Sequence, residues 1–291
     1  MKSMIITPRC TGPAARSSGV RRLGAALPQP LISPSLHASQ QLQPFRLPLQ
    51  RIGFTGQPQA DLPTLRTLMR CQLRSIPFEN LDVLAGRGVS LVPEDIVRKL
   101  VHHRRGGYCY EVNGLFAMAL AALGLPYRMV AARPMFYPVR RPRTHMALLV
   151  TVDGEEWLVD LGFGSYGIRA PMRLADTDVD VPQDDDLFSL TQPQPGEWVL
   201  RAWRDGAWAP QYGFDLWPQE WVDFAPANHL NSTHPDAIFV QKRLLVIHTD
   251  AGRTIWLGDT LTHVIRKVSH SQTVAEADIP RLLQQEFGLV V

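Results

Sequence analysis

The sequence predicts an α+β fold in which helices and strands occupy successive parts of the chain. Amphipathic helical patterns lie before residue 126, apolar strand patterns follow from about residue 127, and the C-terminal part combines the two. This order favours segregated layers over the repeated strand–helix units of a parallel sheet. With 45% hydrophobic and 20% charged residues, the composition is that of a globular protein. The sequence contains no run of about 18 uncharged apolar residues, so it predicts no membrane span.

The first 45 residues differ in composition from the rest of the chain. They are rich in Ser, Pro, Gln and Arg, and we interpret residues 1–45 as a disordered extension. A transit peptide is the alternative, but the segment lacks an amphipathic stripe. Of the 30 Lys and Arg residues, seven lie in residues 1–60, where no acidic residue occurs; the other 23 stand against 27 acidic residues. The acidic body argues against a nucleic-acid partner.

Three helices are predicted in the first part of the chain, at 61–75, 90–101 and 112–123. Each has apolar residues at helical spacing, and Gly124 with Pro126 marks the end of the third. Runs of apolar residues then predict strands at 128–132, 146–152, 157–161, 198–203, 237–248 and 254–257. A last helix is predicted at 279–287.

Cys109 is the candidate nucleophile. It follows Gly106-Gly107, a pair that allows a sharp turn and close approach of the backbone, and it falls in the first turn of a helix. The helix dipole, together with two arginines and two histidines at 102–105, favours a thiolate there. The alternative is that Cys109 is a small buried apolar residue, which is the usual role of a free cysteine.

A predicted hairpin brings a histidine and an aspartate to one face of a sheet. Asp153-Gly154 between two apolar runs indicates a two-residue type I′ turn, which pairs Val152 with Glu155. In that register His145 and Asp160 are diagonal neighbours on one face, within reach of each other. We expect Gly162, opposite His145, to leave room for the imidazole. The alternatives are a structural sheet histidine and a turn aspartate.

The sequence does not indicate a metal site. Three cysteines, Cys10, Cys71 and Cys109, are too few for a disulfide framework or a zinc site and suit a reducing cytosol. His229 and His234 are expected in a loop without a carboxylate at ligand spacing, and we interpret them as structural. The basic run 98–105 is interpreted as a solvated helix face.

Several blocks of sequence, in order and at near-family spacing, resemble the arylamine N-acetyltransferase family. They are Ser-Ile-Pro-Phe-Glu-Asn-Leu at 75–81, Arg-Gly-Gly-Tyr-Cys-Tyr-Glu at 105–111, Thr-His at 144–145, Val-Asp-Leu-Gly-Phe-Gly at 159–164 and Asn-Ser-Thr-His-Pro at 231–235. The resemblance covers roughly residues 50–265. It implies a papain-like architecture: a helical domain at 46–126 carrying the nucleophile, a β-barrel at 127–225 and an α/β lid at 226–291.

The resemblance also implies the chemistry and the site residues. It implies a catalytic triad of Cys109, His145 and Asp160, and ping-pong transfer of an acetyl group from acetyl-CoA to arylamines, arylhydrazines or N-hydroxyarylamines. Further positions are implied as well: Phe78 and Phe163 for the acceptor pocket, and Thr144 and Gly164 for the CoA cleft. The partners are then CoA and small aromatic amines, without metal, nucleic acid or membrane, and the enzyme is expected in the cytoplasm as a monomer or homodimer.

Two other functions remain open from the sequence. A cysteine hydrolase or transglutaminase-like enzyme uses the same Cys, His and Asp in the same order, and fold alone does not separate it from a transferase. A binding protein with a decayed site is the second alternative, although all three triad residues are present. The segment after Gly164, Ser-Tyr-Gly-Ile at 165–168, is where members of the resembled family differ, so the preferred amine also stays open.

Overall fold

The computed structural model describes residues 46–164 and 166–290. The predicted extension at 1–45, and Cys10 within it, lie outside the described residues. The first part of the fold is helical, with α1 at Arg46–Arg51, α2 at Leu62–Ser75, α3 at Leu81–Leu84, α4 at Pro93–Val97 and α5 at Cys109–Leu123. No helix within the described ranges is both long and apolar enough to cross a membrane.

The three helices predicted in this part of the chain are present, but one of them is partly a π turn. The Asp61 side chain accepts a hydrogen bond from the Thr64 N–H (2.8 Å) and caps α2. Helix α5 ends at Gly124, which adopts the left-handed conformation, as predicted. The helix predicted at 90–101 is shorter, because α4 passes into a π turn at Arg98–His102.

The middle of the chain forms an eight-stranded antiparallel sheet that curves into a nearly closed barrel. Its spatial order is β5-β4-β3-β2-β9-β8-β7-β6. These strands are β2 Tyr127–Pro134, β3 His145–Val152, β4 Glu155–Val159, β5 Met172–Arg173, β6 Val181–Gln183, β7 Asp186–Gln194, β8 Glu197–Arg204 and β9 Ala207–Asp215. Val152 pairs with Glu155, so the predicted hairpin register is confirmed. Strands β5, β6, β7 and β9 were not predicted.

The C-terminal part combines helices with a five-stranded sheet of order β1-β10-β11-β12-β13. Its elements are a 3-10 turn at Trp221–Phe224, α6 Ala225–Thr233, α7 Ile238–Gln241, β10 Leu244–His248, β11 Gly252–Leu257, β12 Thr260–Ile265, β13 Val268–Thr273 and α8 Ile279–Phe287. Strand β1, Phe78–Glu79, comes from the helical part of the chain and pairs with β10. The domain boundaries at 126 and 225 therefore stay an interpretation.

The strand predicted at 237–248 is wrong in its first half, where α7 forms instead. The Asn80 side chain donates hydrogen bonds to the carbonyls of Phe239 (2.7 Å) and Lys242 (2.8 Å), and it accepts one from the Leu244 N–H (2.8 Å). These bonds satisfy the carbonyl groups at the end of the short helix. Asn80 lies 159 to 164 positions away from these residues along the chain, so the local apolar pattern does not reveal the turn.

The active-site elements belong to one hydrophobic core. Helix α5 packs against β2 and β3, and residues of α2, α5 and the barrel form one buried cluster. All but one residue of β3 are buried, which explains its nearly continuous apolar sequence. Because α5 begins with Cys109 and β3 begins with His145, their packing brings the two side chains to one end of the core.

Candidate active site

Cys109 is the first residue of α5, and the turn before it is closely packed. The thiol-bearing residue is only 3% exposed. The Glu111 carboxylate accepts a hydrogen bond from the Tyr108 N–H (3.0 Å) and another from Lys99 Nζ (2.7 Å), which fixes the start of the helix. A Cβ on Gly107 would lie 2.5 Å from Glu111 Oε2, so the predicted close approach of the backbone is present.

The positive charges expected around the thiol are arranged differently from the prediction. Arg105 donates two hydrogen bonds to Glu79 Oε1 (2.7 and 3.0 Å) and also lies near Asp82. Arg104 and the histidines at 102 and 103 are exposed. The charge of Arg105 is therefore largely balanced by carboxylates, and the helix N-terminus and His145 remain as the favourable contacts for a thiolate.

His145 and Asp160 form a buried pair. His145 Nε2 lies 2.7 Å from Asp160 Oδ2, and the two residues are 4% and 1% exposed. Since Nε2 faces the carboxylate, Nδ1 is the ring nitrogen left for the Cys109 thiol. The structure thus brings together the three residues that the sequence predicted, on α5, at the start of β3 and just after β4.

Asn113, which the sequence did not identify, joins the triad carboxylate to the nucleophile helix. Its Nδ2 donates to Asp160 Oδ1 (3.0 Å) and to the Met146 carbonyl (2.7 Å), and its Oδ1 accepts from the Leu161 N–H (2.8 Å). It lies one helical turn after Cys109, a spacing that could have drawn attention to it. The Gly162 N–H also donates to Asp160 Oδ1 (2.8 Å). Asp160 is therefore held by three donors.

Gly162 has a different neighbour from the one predicted. A Cβ at this position would lie 2.5 Å from the Cα of Cys109 and 2.9 Å from its Cβ. The absence of a side chain therefore allows the loop after β4 to pack on the start of α5, rather than making room for His145.

Electrostatics favour a charged imidazole. Burial opposes the charge on His145, but the carboxylate of Asp160 and a hydrogen bond and charge from Cys109 outweigh it and raise the pKa of His145 to about 10. Burial also opposes ionisation of Asp160, yet the charge and hydrogen bond of His145 lower the pKa of that carboxyl. Both directions favour an imidazolium–carboxylate pair at His145 and Asp160.

Aromatic rings enclose the imidazole. The ring of Tyr212 lies 5.0 Å from that of His145, and the ring of Phe163 lies 5.1 Å from it in an edge-to-face arrangement. Phe163 also packs on Tyr212 and Phe136. These contacts restrict the orientation of the imidazole and limit the access of water to it.

Cys109 and His145 open into a cavity of about 600 Å³. The four predicted binding residues, Phe78, Phe163, Thr144 and Gly164, all lie on its wall. Much of the remaining wall is aromatic or aliphatic, with a few polar groups that include Arg141, Arg204, Asn231 and His234. The shape suits a flat apolar ligand beside the nucleophile.

The C-terminal part closes one side of this cavity. The Thr144 carbonyl accepts hydrogen bonds from Tyr110 Oη on α5 (2.8 Å) and from Asn231 Nδ2 on α6 (2.9 Å), which tie both helices to the residue before His145. His229 lies within α6 and His234 just after it, so their expected loop is wrong for His229. In the described part of the chain, no group of three His, Cys, Asp or Glu residues is arranged to hold a metal ion.

Comparison with known proteins gives consistent matches over most of the chain. A family profile described as N-acetyltransferase matches residues 61–291. The arylamine N-acetyltransferase of Escherichia coli is 33% identical over 250 residues, which cover 83% of this chain and 87% of the relative. A Salmonella typhimurium protein, named arylamine N-acetyltransferase / N-hydroxyarylamine O-acetyltransferase, is 36% identical over 236 residues, covering 78% and 82%.

A solved structure gives the same result for the fold. The arylamine N-acetyltransferase of Mycobacterium marinum in complex with CoA superposes with a TM-score of 0.79 at 32% sequence identity. The match covers 84% of this chain and 92% of the other.

Proposed function

The chain belongs to the arylamine N-acetyltransferase family, and we propose that it transfers acetyl groups through Cys109, with His145 and Asp160 completing the triad. As a member of this family it is an acetyl-CoA-dependent arylamine N-acetyltransferase. The observation that carries the assignment of residues is the hydrogen bond of 2.7 Å between His145 and Asp160, at the wall of the cavity that Cys109 also lines.

In the first half-reaction, the Cys109 thiolate attacks the carbonyl carbon of the acetyl thioester. The bond between that carbon and the CoA sulfur breaks, and the imidazolium of His145 gives its proton to the departing thiolate. CoA leaves as a thiol, while Cys109 carries the acetyl group and His145 is neutral. The backbone N–H of Cys109, at the helix N-terminus, supports the negative charge that develops on the carbonyl oxygen.

In the second half-reaction, the amine nitrogen attacks the acetyl carbon on Cys109. His145 accepts the proton that the nitrogen loses, and the Cys109 sulfur leaves as a thiolate, which restores the ion pair. The acetylated cysteine carries no charge, so the contribution of the thiolate to the raised pKa of His145 is absent at this stage. The pKa of His145 is therefore raised less in the acetyl-enzyme, which favours the neutral imidazole that must act as a base.

The two substrates would share the cavity. Phe78 and Phe163 present flat apolar faces to an aromatic acceptor. Thr144 and Gly164 border the path of the pantetheine arm. Catalysis requires Cys109 as a free thiol, and within residues 46–164 and 166–290 neither Cys71 nor Cys109 forms a disulfide. We therefore assign the enzyme to a reducing compartment, the cytoplasm.

Isotope exchange between acetyl-CoA and free CoA, measured without any amine, tests this proposal. Exchange occurs only if the acetyl group leaves CoA and rests on the enzyme. We expect exchange with the wild type, none with Cys109→Ala, and exchange near the wild-type rate with Cys71→Ala as the matched control. Exchange that persists in Cys109→Ala contradicts the proposal.

The hydrolase alternative predicts a different product. If water were the acceptor, acetate would accumulate at the same rate with and without an arylamine. The transferase instead predicts that an arylamine increases CoA release and appears as its N-acetyl derivative. Product analysis by chromatography separates the two.

A further inference from the structure

We propose that Arg204 forms a subsite for a carboxylate on the acceptor, so that the enzyme favours aromatic amines bearing an acid group at the end remote from the amine. The inference rests on the proposed acetyl transfer through Cys109, because Arg204 lies on the wall of the same cavity. None of the predicted binding residues supplies a positive charge there.

The position of Arg204 follows from the alternation of side chains along β8. Leu200 and Ala202 are 0% and 1% exposed, and Arg204 is the next residue on that inward face. Leu200 pairs with Tyr212, whose ring packs on His145. Strand β8 therefore runs from the level of the triad outward to the rim of the cavity, where its inward face ends in a guanidinium.

The charge of Arg204 is not balanced by the surrounding described residues. Tyr166 lies between two guanidiniums, with Arg204 at 3.8 Å and Arg253 at 4.5 Å from its ring centroid. Arg253 pairs with Asp186 (2.5 Å), whereas no carboxylate in residues 46–164 or 166–290 lies within 4.0 Å of the Arg204 nitrogens. The Nε of Arg204 is buried and has no hydrogen-bond partner within these ranges. The Nε of Arg201 and of Arg253 also lacks a hydrogen-bond partner, but both of those arginines pair with carboxylates. Arg204 combines an unpaired charge with a place on the cavity wall, which suits a guanidinium that binds an oxyanion ligand.

Position favours the acceptor over CoA as the source of that anion. The four steps along the chain from Leu200 to Arg204 span about 13 Å of strand, a distance to be shared by an aromatic amine beside Cys109 and the arginine side chain. The CoA phosphates are separated from the thioester by the whole pantetheine arm. Arg141, which also lines the cavity and lies three residues before Thr144, is a second guanidinium available to those phosphates.

The test compares 4-aminobenzoate with its uncharged methyl ester as acceptors. We expect Arg204→Met to lower kcat/KM for 4-aminobenzoate by about tenfold to a hundredfold, the usual cost of losing a hydrogen bond between charged groups. The methyl ester should be acetylated at nearly the wild-type rate. Arg204→Lys should fall between the two, because it keeps the charge without the planar fork.

Arg201→Met is the matched control. Arg201 lies on the same strand but packs on Trp208 and binds Asp178 (3.0 Å), away from the cavity. It should leave the ratio of the two amines unchanged. Thermal unfolding of each variant checks that the fold is retained.

Donor substrates distinguish the two sources of an anion. If Arg204 held a CoA phosphate, Arg204→Met would raise the KM for acetyl-CoA but not for S-acetylpantetheine, and the proposal would be overturned. An equal loss on both amines would also overturn it. If the wild type acetylated neither amine, the proposed function would fail first, and the subsite with it.

Discussion

Replacing Asp160 by asparagine probes how the carboxylate holds His145. Asp160 Oδ1 accepts from Asn113 Nδ2 and from the Gly162 N–H, while Oδ2 faces His145 Nε2. An asparagine that keeps its oxygen toward the first two donors must turn its NH₂ group toward the imidazole. Nε2 would then have to accept, and the ring proton would move to Nδ1, the nitrogen that should receive the thiol proton.

The structure allows the size of the effect to be worked out. The rise in the pKa of His145 from an ordinary 6.5 to about 10 is equivalent to about 5 kcal/mol in favour of the imidazolium, and Asp160 is the largest group that raises it. Losing most of this energy corresponds to a decrease of about a thousandfold in the rate of Cys109 acetylation. The same wrong tautomer costs about ten-thousandfold in serine hydrolases with an equivalent relay. We therefore expect Asp160→Asn to lower the rate of Cys109 acetylation by a thousandfold or more.

Rapid mixing with acetyl-CoA, followed by acid quenching and intact-protein mass, measures this step alone. Asp153→Asn is the matched control, because it removes the same charge in the same hairpin and asparagine also suits the type I′ turn. The control should be acetylated at the wild-type rate. A folded Asp160→Asn enzyme that keeps more than a tenth of that rate would show that Asp160 does not set the tautomer of His145.

Three further changes test the packing and the charges around the nucleophile. Gly162→Ala should lower the midpoint of thermal unfolding by several degrees, as expected for overpacking of about 1–3 kcal/mol, whereas Gly88→Ala, with open space around it, should not. Because the pKa of His145 is raised, its positive charge should stabilise the fold fully below pH 6.5 and lose that effect as the pH rises through about 10. The difference in stability between wild type and His145→Gln, measured by thermal unfolding, should therefore shrink over this pH range. A difference that stays constant contradicts the ion pair. Lys99→Met leaves the Glu111 carboxylate buried without its ammonium partner and should lower the free energy of unfolding, measured with denaturant, by about 3–5 kcal/mol. The double variant Lys99→Met with Glu111→Gln should recover most of that stability. No recovery would show that Lys99 stabilises the fold through another contact.

The sequence predicted the triad because local patterns encode each part of it. The Asp153-Gly154 turn sets the register that places His145 and Asp160 on one face, and this register is confirmed. Cys109 at the start of a helix follows from the glycines before it and the apolar spacing after it. These signals involve neighbouring residues, and short-range geometry is what residue patterns describe well.

The contacts that sequence reasoning missed join distant parts of the chain. Arg105 appeared to lie beside the thiol, but Glu79, 26 positions earlier, binds its guanidinium. Lys99 was taken as part of a solvated face, yet it pairs with the buried Glu111. Short strands at the edge of the barrel, such as β5 with two residues, have too few side chains to show a period. Such features depend on the packing of the whole fold.

The most direct test of the account is the mass of the intact protein after mixing with acetyl-CoA alone. A gain of one acetyl group, which peptide mapping locates on Cys109 and which an added arylamine removes as its N-acetyl derivative, is the predicted result. Cys109→Ala should gain no mass. An acetyl group on another residue, or one on Cys109 that the amine does not remove, would contradict transfer through the cysteine.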